Sequence, residues 1–554
     1  MLYEAGRFAP SDRIASAGAG SFSEACEGER MDEAIGRQFR SIPLRWRGAR
    51  RPMKDVSKSI ARWASVQPQR PAVVDENVAL SYGELDEHAG RWIGFLQSAG
   101  VAPGDEILLL LDNRAEFVAV LIAAVRADFV PIALNVHFTA EDIASLAART
   151  RASILITTRT FANERDFEEK LSFRVYCLEE LDLCDYPNCA GSATELGSDI
   201  VFFSSGTTGA PKGIVVPKSV FDMALPPADS GTAPQAHLLC RPLFFRAHLT
   251  AACNILQEGG TVVLSGQADF DAWINAMALR RVSFVSMGPI DLMGLLKFFE
   301  RTGAKFPSSV NHLMITGAPL PDSLKATVTR RMPDLKVTDL YGTSETGAIA
   351  MIDNDEWAAR GGSCGKPAFF LHAVVRGENG KELPAREVGE VWVKTRYRMR
   401  EYYGDPAATS ETIEDDYIGT GDLGFLDEQG YLHLSGRKRD LINRSGFHIF
   451  PEEVENVLRA ARDVEDAVVV GLDHPERMQE PVAFIRLRDQ GRKDGSSESA
   501  KIQELLAHCE SRLARYKVPA AVWFVQDIPV NAAGKADRRR LAQRAVLPRE
   551  GTFG

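Results

Sequence analysis

Between Asp199 and Val216 an apolar run, Ile200-Val201-Phe202-Phe203, opens into Ser204-Ser205-Gly206-Thr207-Thr208-Gly209-Ala210-Pro211-Lys212-Gly213 and closes on a second apolar run, Ile214-Val215-Val216. Short apolar runs bounded by turn residues read as buried strands, so this loop is pinned at both ends. Its three glycines let the backbone turn tightly, and its successive hydroxyls and amides can surround an anion. A plain Gly/Ser/Thr linker has similar composition, but the ordered strands on either side argue against one here. Nor is it a Walker loop, because Lys212 precedes Gly213 rather than Ser or Thr and the glycine spacing differs.

The surrounding chain of 554 residues is long enough for several domains. From Lys54 onward helix and strand alternate: Ile60, Trp63 and Ala64 at helical spacing, Ala72-Val73-Val74 as a strand, Glu106 to Leu111 as a strand, Glu116 to Ala127 as a helix. This alternation predicts an α/β fold with a large, multi-subdomain N-terminal body of layered sheets and helices. Residues 1–53 are rich in Gly, Ala, Ser, Glu and Arg without a sustained period, and read as a flexible arm, with Met31 and Met53 as alternative starts. Near residue 436 the pattern changes. A charged connector, Gly436 to Asp440, leads into a helix after Pro451, strands at Ala467 to Gly471 and Val482 to Arg486, and a helix from Ile502 to Arg515. The expected division is therefore an arm over 1–53, a large domain over 54–438 and a small, mobile α+β domain over 439–554.

A net charge of −10 gives no bulk attraction to nucleic acid or anionic lipid, so any polyanion must be held by a local site. The most apolar stretch, Ile107 to Leu134, is broken by Asp112, Arg114, Glu116, Arg126 and Asp128, short of a membrane span. Residues 1–30 lack the apolar core of a secretory signal. The eight cysteines include no CxxC pair, and Cys184 and Cys189 lack zinc-type partners. These features predict a cytoplasmic protein with reduced thiols.

The segment SSGTTGAPKG resembles the phosphate-loop signature of the acyl-adenylate-forming superfamily, which includes acyl- and aryl-CoA synthetases, adenylation domains and luciferases. The other motifs of that superfamily follow in order. Tyr341-Gly342-Thr343-Ser344-Glu345 resembles its YGxTE element, Thr420-Gly421-Asp422 its TGD element, Gly436-Arg437 with Gly446 and Pro451 to Glu455 its hinge region, and Pro529 to Lys535 its carboxy-terminal lysine motif. The resemblance runs from about Lys54 to Leu541 and is closest to acyl-CoA synthetases.

That resemblance implies ATP, magnesium and CoA, or the phosphopantetheine of a carrier protein, as the molecules bound. It implies that Ser204, Ser205, Gly206, Thr207, Thr208, Gly209 and Lys212 hold phosphates, and that Gly342 and Thr343 approach the α-phosphate. By the same resemblance Glu345 holds the metal, Gly317, Ala318, Pro319 and Tyr341 enclose the adenine, Asp339 receives its amine, and Asp422 with Arg437 holds the ribose. Lys535, with Glu345 and Thr207, is implied to be catalytic, an ammonium there bridging substrate carboxylate and phosphate without proton transfer. Arg439, where the family carries Asp or Lys, stands at the hinge. Ser445, Gly446 and Phe447 line a thiol tunnel in a second, rotated state.

For the acyl pocket, Phe245, Arg246, His248, Met287, Gly288, Ser344 and Gly347 are the candidates. Arg246 or His248 meets a second polar group on the substrate in one reading. In the other they are a surface arginine and a satisfied core histidine beside Phe245. No carboxylate follows Pro242 in this stretch to hold an amine, which disfavours an α-amino acid substrate. The expected activity is an AMP-forming carboxylate:CoA ligase acting on a small carboxylic acid, with no nucleic-acid partner and no membrane span. The rival readings are an enzyme that loads an acyl or aryl acid onto a carrier protein and a nucleotide-binding scaffold without turnover.

Overall fold

The computed structural model describes residues 55–191, 199–204, 212–222, 235–266, 269–445, 447–488, 498–530 and 535–544. The proposed arm, Ser205 to Gly209 of the phosphate loop and Gly446 lie outside them.

The first helix among the described residues runs Val56–Val66, started by Asp55, whose side chain accepts from the Lys58 amide at 3.0 Å. Its successor, Tyr82–Ser98, carries a reciprocal capping box between Ser81 and Glu84. Two sheets then form the body. One has seven strands, with Asp199–Ser204 and Lys212–Pro217 as an antiparallel pair beside the parallel strands Val130–Ala133, Glu106–Leu109, Ile154–Thr157 and Arg174–Cys177. The other has fourteen, parallel through Ala236–Leu239, Val282–Met287, His312–Thr316 and Lys336–Thr343, then antiparallel from Gly347–Asp353 onward.

Strand alternation sorts the cores. Ile107, Leu109, Ile200, Phe202, Ile214 and Val216 face a core shared with Leu239, Val262 and Leu264 of the larger sheet, and helices Ala115–Ala127 and Arg246–Gln257 fill the space between. Leu108, Leu110, Val201, Phe203 and Val215 face the outer layer. The far side of the larger sheet is covered by helices Phe270–Leu279, Pro289–Thr302 and Asp322–Arg331 over Trp273, Leu292, Leu295, Leu313 and Val328. The layered α/β body read from the sequence is therefore the observed one.

Residues 442–524 carry a separate five-stranded sheet. Its long hairpin, Val464–His474 with Met478–Leu487, exceeds the sequence expectation at both ends because the charged residues there are paired within the domain, Asp466 with Arg459 and the buried Glu480 with Arg444 and Arg477. Ala467 and Val469 face a core with Leu458, Leu505 and Cys509, while Val468 and Val470 face another with Phe484, Ile528 and Leu541. The last long helix is Glu498–Glu510, beginning four residues before the expected Ile502 and ending short of Arg515, where a 3-10 turn, Arg515–Lys517, takes over.

The elements that bear on function are β1 (Asp199–Ser204), β2 (Lys212–Pro217), α1 (Arg246–Gln257), β3 (Val282–Met287), β4 (His312–Thr316), β5 (Lys336–Thr343), β6 (Gly347–Asp353), β7 (Glu401–Tyr402), β8 (Tyr417–Leu426), β9 (Leu432–Arg437), β10 (Ile442–Arg444), β11 (Phe447–Ile449) and α2 (Pro451–Arg459).

Candidate active site

Strands β5 and β6 pair antiparallel and leave Ser344-Glu345-Thr346 as a tight connection, with Thr343 opposite Gly347. Thr346 is fully buried, its hydroxyl 3.0 Å from that of Thr343, which also accepts the Thr346 amide at 3.1 Å. Gly342 is required here, because a Cβ on it would stand 2.3 Å from the Gly347 carbonyl oxygen. The turn thus projects Glu345 from a rigid base. Two further contacts fix that residue: the Met399 amide donates to its carbonyl at 2.6 Å, and the Tyr402 hydroxyl donates to its Oε1 at 3.1 Å.

Tyr402 also links the turn to the phosphate loop. It belongs to β7, which pairs with β2, and the Lys212 ammonium lies 4.9 Å from its ring centroid. Ser204 and Lys212 are register partners at the ends of β1 and β2, and Lys212 lies next to Glu345's own support.

Asp422 and Arg437 face each other across β8 and β9, with Arg437 Nε 3.0 Å from Asp422 Oδ1. Asp422 Oδ2 accepts the Tyr341 hydroxyl at 2.6 Å, and only 5% of Asp422 is exposed. Burial opposes the charge on Arg437, but Asp422, Glu345 and Asp440 overcome it and raise its pKa. Burial, then Asp422, raises the Tyr341 phenol well above its ordinary range, so it remains a hydrogen-bond donor. Two residues earlier on the same face of β5, Asp339 is buried and 3.5 Å from the Lys325 ammonium; burial lifts its carboxyl to about 6 against the pull of that cation. Register between β4 and β5 pairs Thr316 with Leu340, which brings Gly317 beside Tyr341. Gly317 has φ +95°, and a side chain there would meet nothing within 4 Å, so Gly317-Ala318-Pro319 borders open space.

Lys535 comes to the same place from the small sheet. It is reached by solvent, yet its ammonium is depressed to about 8, first by desolvation and next by Arg437, with Asp422 and Glu345 pulling the other way. A side chain that water reaches and protein still surrounds stands in a cleft. The segment is anchored by a bridge between Val530 and Ala536 and by Arg538, which binds the buried Glu455 of α2, donates to the Val469 carbonyl at 2.8 Å and lies 3.5 Å from Asp440 of the connector. Arg439 is 3.8 Å from Asp440; burial, then Arg437, lowers its pKa.

One family model, described as AMP-binding enzyme, matches residues 60–403, and a second, AMP-binding enzyme C-terminal domain, matches residues 453–535. The chain belongs to the AMP-binding enzyme family. It is 30% identical over 507 residues to a 2-succinylbenzoate–CoA ligase of Bacillus cereus, covering 89% of this chain and 99% of that protein. It is also 30% identical over 491 residues to a feruloyl-CoA synthase of an Amycolatopsis species, covering 87% and 97%. Among solved structures, o-succinylbenzoate CoA synthetase of Bacillus subtilis in complex with its acyl-adenylate intermediate superposes with a TM-score of 0.77 at 26% identity, over 87% of this chain and 97% of that one.

In this AMP-binding enzyme the acyl-pocket candidates divide. Arg246, the first residue of α1, is not at the surface: it is 4% exposed, donates to the Ser344 carbonyl at 2.6 Å and binds the Tyr397 carbonyl. Desolvation lowers its pKa to about 10, with Glu345 opposing, so it stays a cation. His248 is buried with Nε2 3.2 Å from the Ser286 hydroxyl; desolvation, then Arg241, takes it down to about 3, so it is neutral. On β3 alternation sends Ser286 toward α1 and packs Met287 into the opposite core with Leu292 and Ile315. Phe245 and Gly347 are half-buried, and Gly288 caps the helix Pro289–Thr302. Ser445 turns the β10/β11 hairpin at φ +52°, and Phe447 is exposed against the Tyr516 ring.

The sequence reading missed Tyr402, Tyr397 and Lys325, which act from a strand, a turn and a helix remote in the chain and carry no local signal. It also passed over a signal it contained, the spacing of Arg246, Thr250, Asn254 and Gln257 on one helical stripe. No helix among the described residues is long and apolar enough to cross a membrane, and no disulfide joins the seven described cysteines.

Proposed function

We propose that this chain is an ATP-dependent, AMP-forming carboxylate:CoA ligase. The observation that carries this reading is the convergence of Lys535, Arg437, Asp422 and Glu345 on one cleft from two differently folded parts of the chain. In the first step a carboxylate oxygen attacks the α-phosphorus of ATP, pyrophosphate leaves and an acyl-adenylate forms. In the second the thiol of CoA attacks the acyl carbon and AMP leaves. Neither step needs a protein nucleophile, so the protein's contribution is placement and charge.

Asp422 accepts from the ribose hydroxyls while Arg437 and Tyr341 hold its carboxylate in place. Tyr341 and Gly317 to Pro319 border the adenine, and Asp339 faces its amine. Thr207, Thr208 and Lys212 hold the outer phosphates, a role that rests on the motif, since the loop residues lie outside the described ones. Lys535 bridges carboxylate and α-phosphate oxygens. Glu345 suits magnesium: it is a hard oxygen ligand, and no cluster of three potential metal ligands exists among the described residues to form an all-protein cage. Bound there, magnesium offsets phosphate charge. Thr343 lies beside it on the same turn. The boundary at residues 438/439 makes the connector with Arg439 the pivot, and rotation there exchanges Lys535 for Ser445 to Phe447. A cytoplasmic setting belongs to the same proposal.

The decisive experiment is acid-dependent ATP–pyrophosphate exchange over a carboxylic-acid panel, followed by identification of the thioester formed with CoA or with a phosphopantetheine carrier. No exchange with any acid defeats the reading, and a thioester on the carrier alone replaces CoA as acceptor. Asp422→Asn is expected to raise the KM for ATP about 10- to 100-fold, the worth of one or two hydrogen bonds to a charged group. The acid's KM should stay within about twofold; an equal rise in both would mark general distortion instead.

A further inference from the structure

Helix α1 lies between the two large sheets, with Leu249, Ala252, Cys253 and Leu256 buried in their common core. A helix in that position is expected to be apolar all round. One stripe of α1 is polar instead: Arg246, Thr250, Asn254 and Gln257 recur at helical spacing and are 4%, 6%, 6% and 3% exposed. The ends of the stripe are bonded, the two terminal nitrogens of Arg246 to the Ser344 and Tyr397 carbonyls, with its Nε left without a partner, and Gln257 to the Phe221 carbonyl. Its middle is not. Thr250 Oγ1 and both Asn254 amide atoms are buried without a hydrogen-bond partner. A helical threonine ordinarily returns its hydroxyl to the preceding turn, and a buried carboxamide almost always finds partners, so three such atoms together call for a ligand.

Position says which ligand. The stripe starts at Ser344, next to Glu345 at the reacting end of the site, and runs away from it. At 1.5 Å per residue Thr250 stands about 6 Å and Asn254 about 12 Å further along the axis than Arg246. Ala247 and Ala251 border the stripe on one side, the first exposed and the second half-buried, so short side chains leave the helix open there. An acyl group whose carboxylate reacts beside Glu345 and whose body lies along Ala247 and Ala251 brings its distal end to Thr250 and Asn254. Charge restricts that end further. His248 is neutral, and the Arg246 guanidinium binds two carbonyls beside Glu345, so α1 itself offers no second cation to compensate a distal charge. Thr and Asn each both donate and accept, which matches a hydroxyl.

We infer that the acid activated here carries a neutral hydroxyl group at its distal end, bound between the Thr250 hydroxyl and the Asn254 carboxamide. The inference rests on the ligase reading and names its substrate class. The test uses two matched pairs, 8-hydroxyoctanoate with octanoate and 3-(4-hydroxyphenyl)propanoate with 3-phenylpropanoate. Each pair is assayed by ATP–pyrophosphate exchange with wild type, Thr250→Val and Asn254→Leu. The expected result is a kcat/KM at least tenfold higher for the hydroxylated member of at least one pair. Each substitution should then bring that ratio to about one, with the KM for ATP unchanged. A wild-type ratio near one on both scaffolds, as resident water at the stripe would give, overturns the inference, and so does a ratio that survives both substitutions. If no acid supports exchange, the ligase reading fails separately; calorimetric binding of the same pairs then decides, with at least tenfold tighter binding of the hydroxy acid expected and equal binding overturning. Thr250→Val nearly preserves shape and removes a hydroxyl that makes no bond, so it remains informative where Asn254→Leu does not fold.

Discussion

Lys535→Ala should reduce acid-dependent ATP–pyrophosphate exchange about 10²- to 10³-fold while leaving thioester formation from a supplied acyl-adenylate within about threefold. The asymmetry follows from where the ammonium stands. In this arrangement it shares the field of Arg437, Arg439, Asp422 and Glu345, and the proposed mechanism puts it where charge builds on the transferring phosphorus and the incoming carboxylate. The second step has no such charge to stabilise at that point. The same surroundings set a pH limit. Desolvation and neighbouring guanidinium groups bring Lys535 down to about 8, so the productive ammonium is complete below that pH and is lost as pH rises through it. The kcat/KM of the exchange reaction, which reports the free enzyme, should fall on the alkaline side with an apparent pKa near 8. In kcat the limb should lie higher, because bound ATP adds negative charge. Lys535→Arg should carry the fall beyond pH 10 at a reduced plateau, since a guanidinium keeps its proton but not the shape. Exchange measured from pH 6 to 10 checks all three statements; a profile flat past pH 9.5 in wild type would sink the assignment.

How far the sequence reaches can be judged from particular residues. Local rules placed most elements well: Asp55 and Ser81 start helices where their side chains cap them, and Pro451 occupies the first turn of α2. Motifs gave Tyr341, Glu345, Asp422, Arg437 and Lys535, and the fold brings these five into one neighbourhood. What stayed hidden depends on register and on distance along the chain. That Asp422 faces Arg437 is a property of strand pairing, and that Tyr402 holds Glu345 needs the short strand β7 to add onto β2. Ser286 and Met287 are neighbours in sequence and point into different layers, so a wall read as a run of consecutive residues does not say which of them faces α1. The small sheet's hairpin was read short because the charged residues Asp466 and Glu480 look like strand ends until their partners, Arg459 for the first and Arg444 and Arg477 for the second, are known.

Arg246, a pocket or surface residue on the sequence reading, is buried, and its contacts point to a positioning task with a second large effect. Its guanidinium joins three segments distant in the chain: α1, the Ser344 end of the Ser344-Glu345-Thr346 turn and the Tyr397 carbonyl just ahead of Met399, whose amide in turn holds Glu345. Arg246→Ala removes two charge-assisted bonds and strands two carbonyls, which should cost about 3–5 kcal/mol of stability, read as a lower denaturation midpoint. Loss of stability alone would not reveal a positioning role, so the informative readout is magnesium dependence. By electrostatics alone, deleting a cation near Glu345 strengthens that carboxylate's attraction for magnesium. By geometry, releasing the turn weakens it, because magnesium demands near-ideal ligand placement. Geometry should win: half-saturating magnesium in the exchange reaction should rise at least fivefold in the folded variant, with kcat at saturating magnesium falling at least tenfold. Arg246→Lys keeps the charge and loses the fork, so it should recover part of the stability and little of the magnesium affinity. An unchanged or tighter magnesium requirement in Arg246→Ala would show that the turn stands without its arginine, and would leave the buried charge with only a packing role.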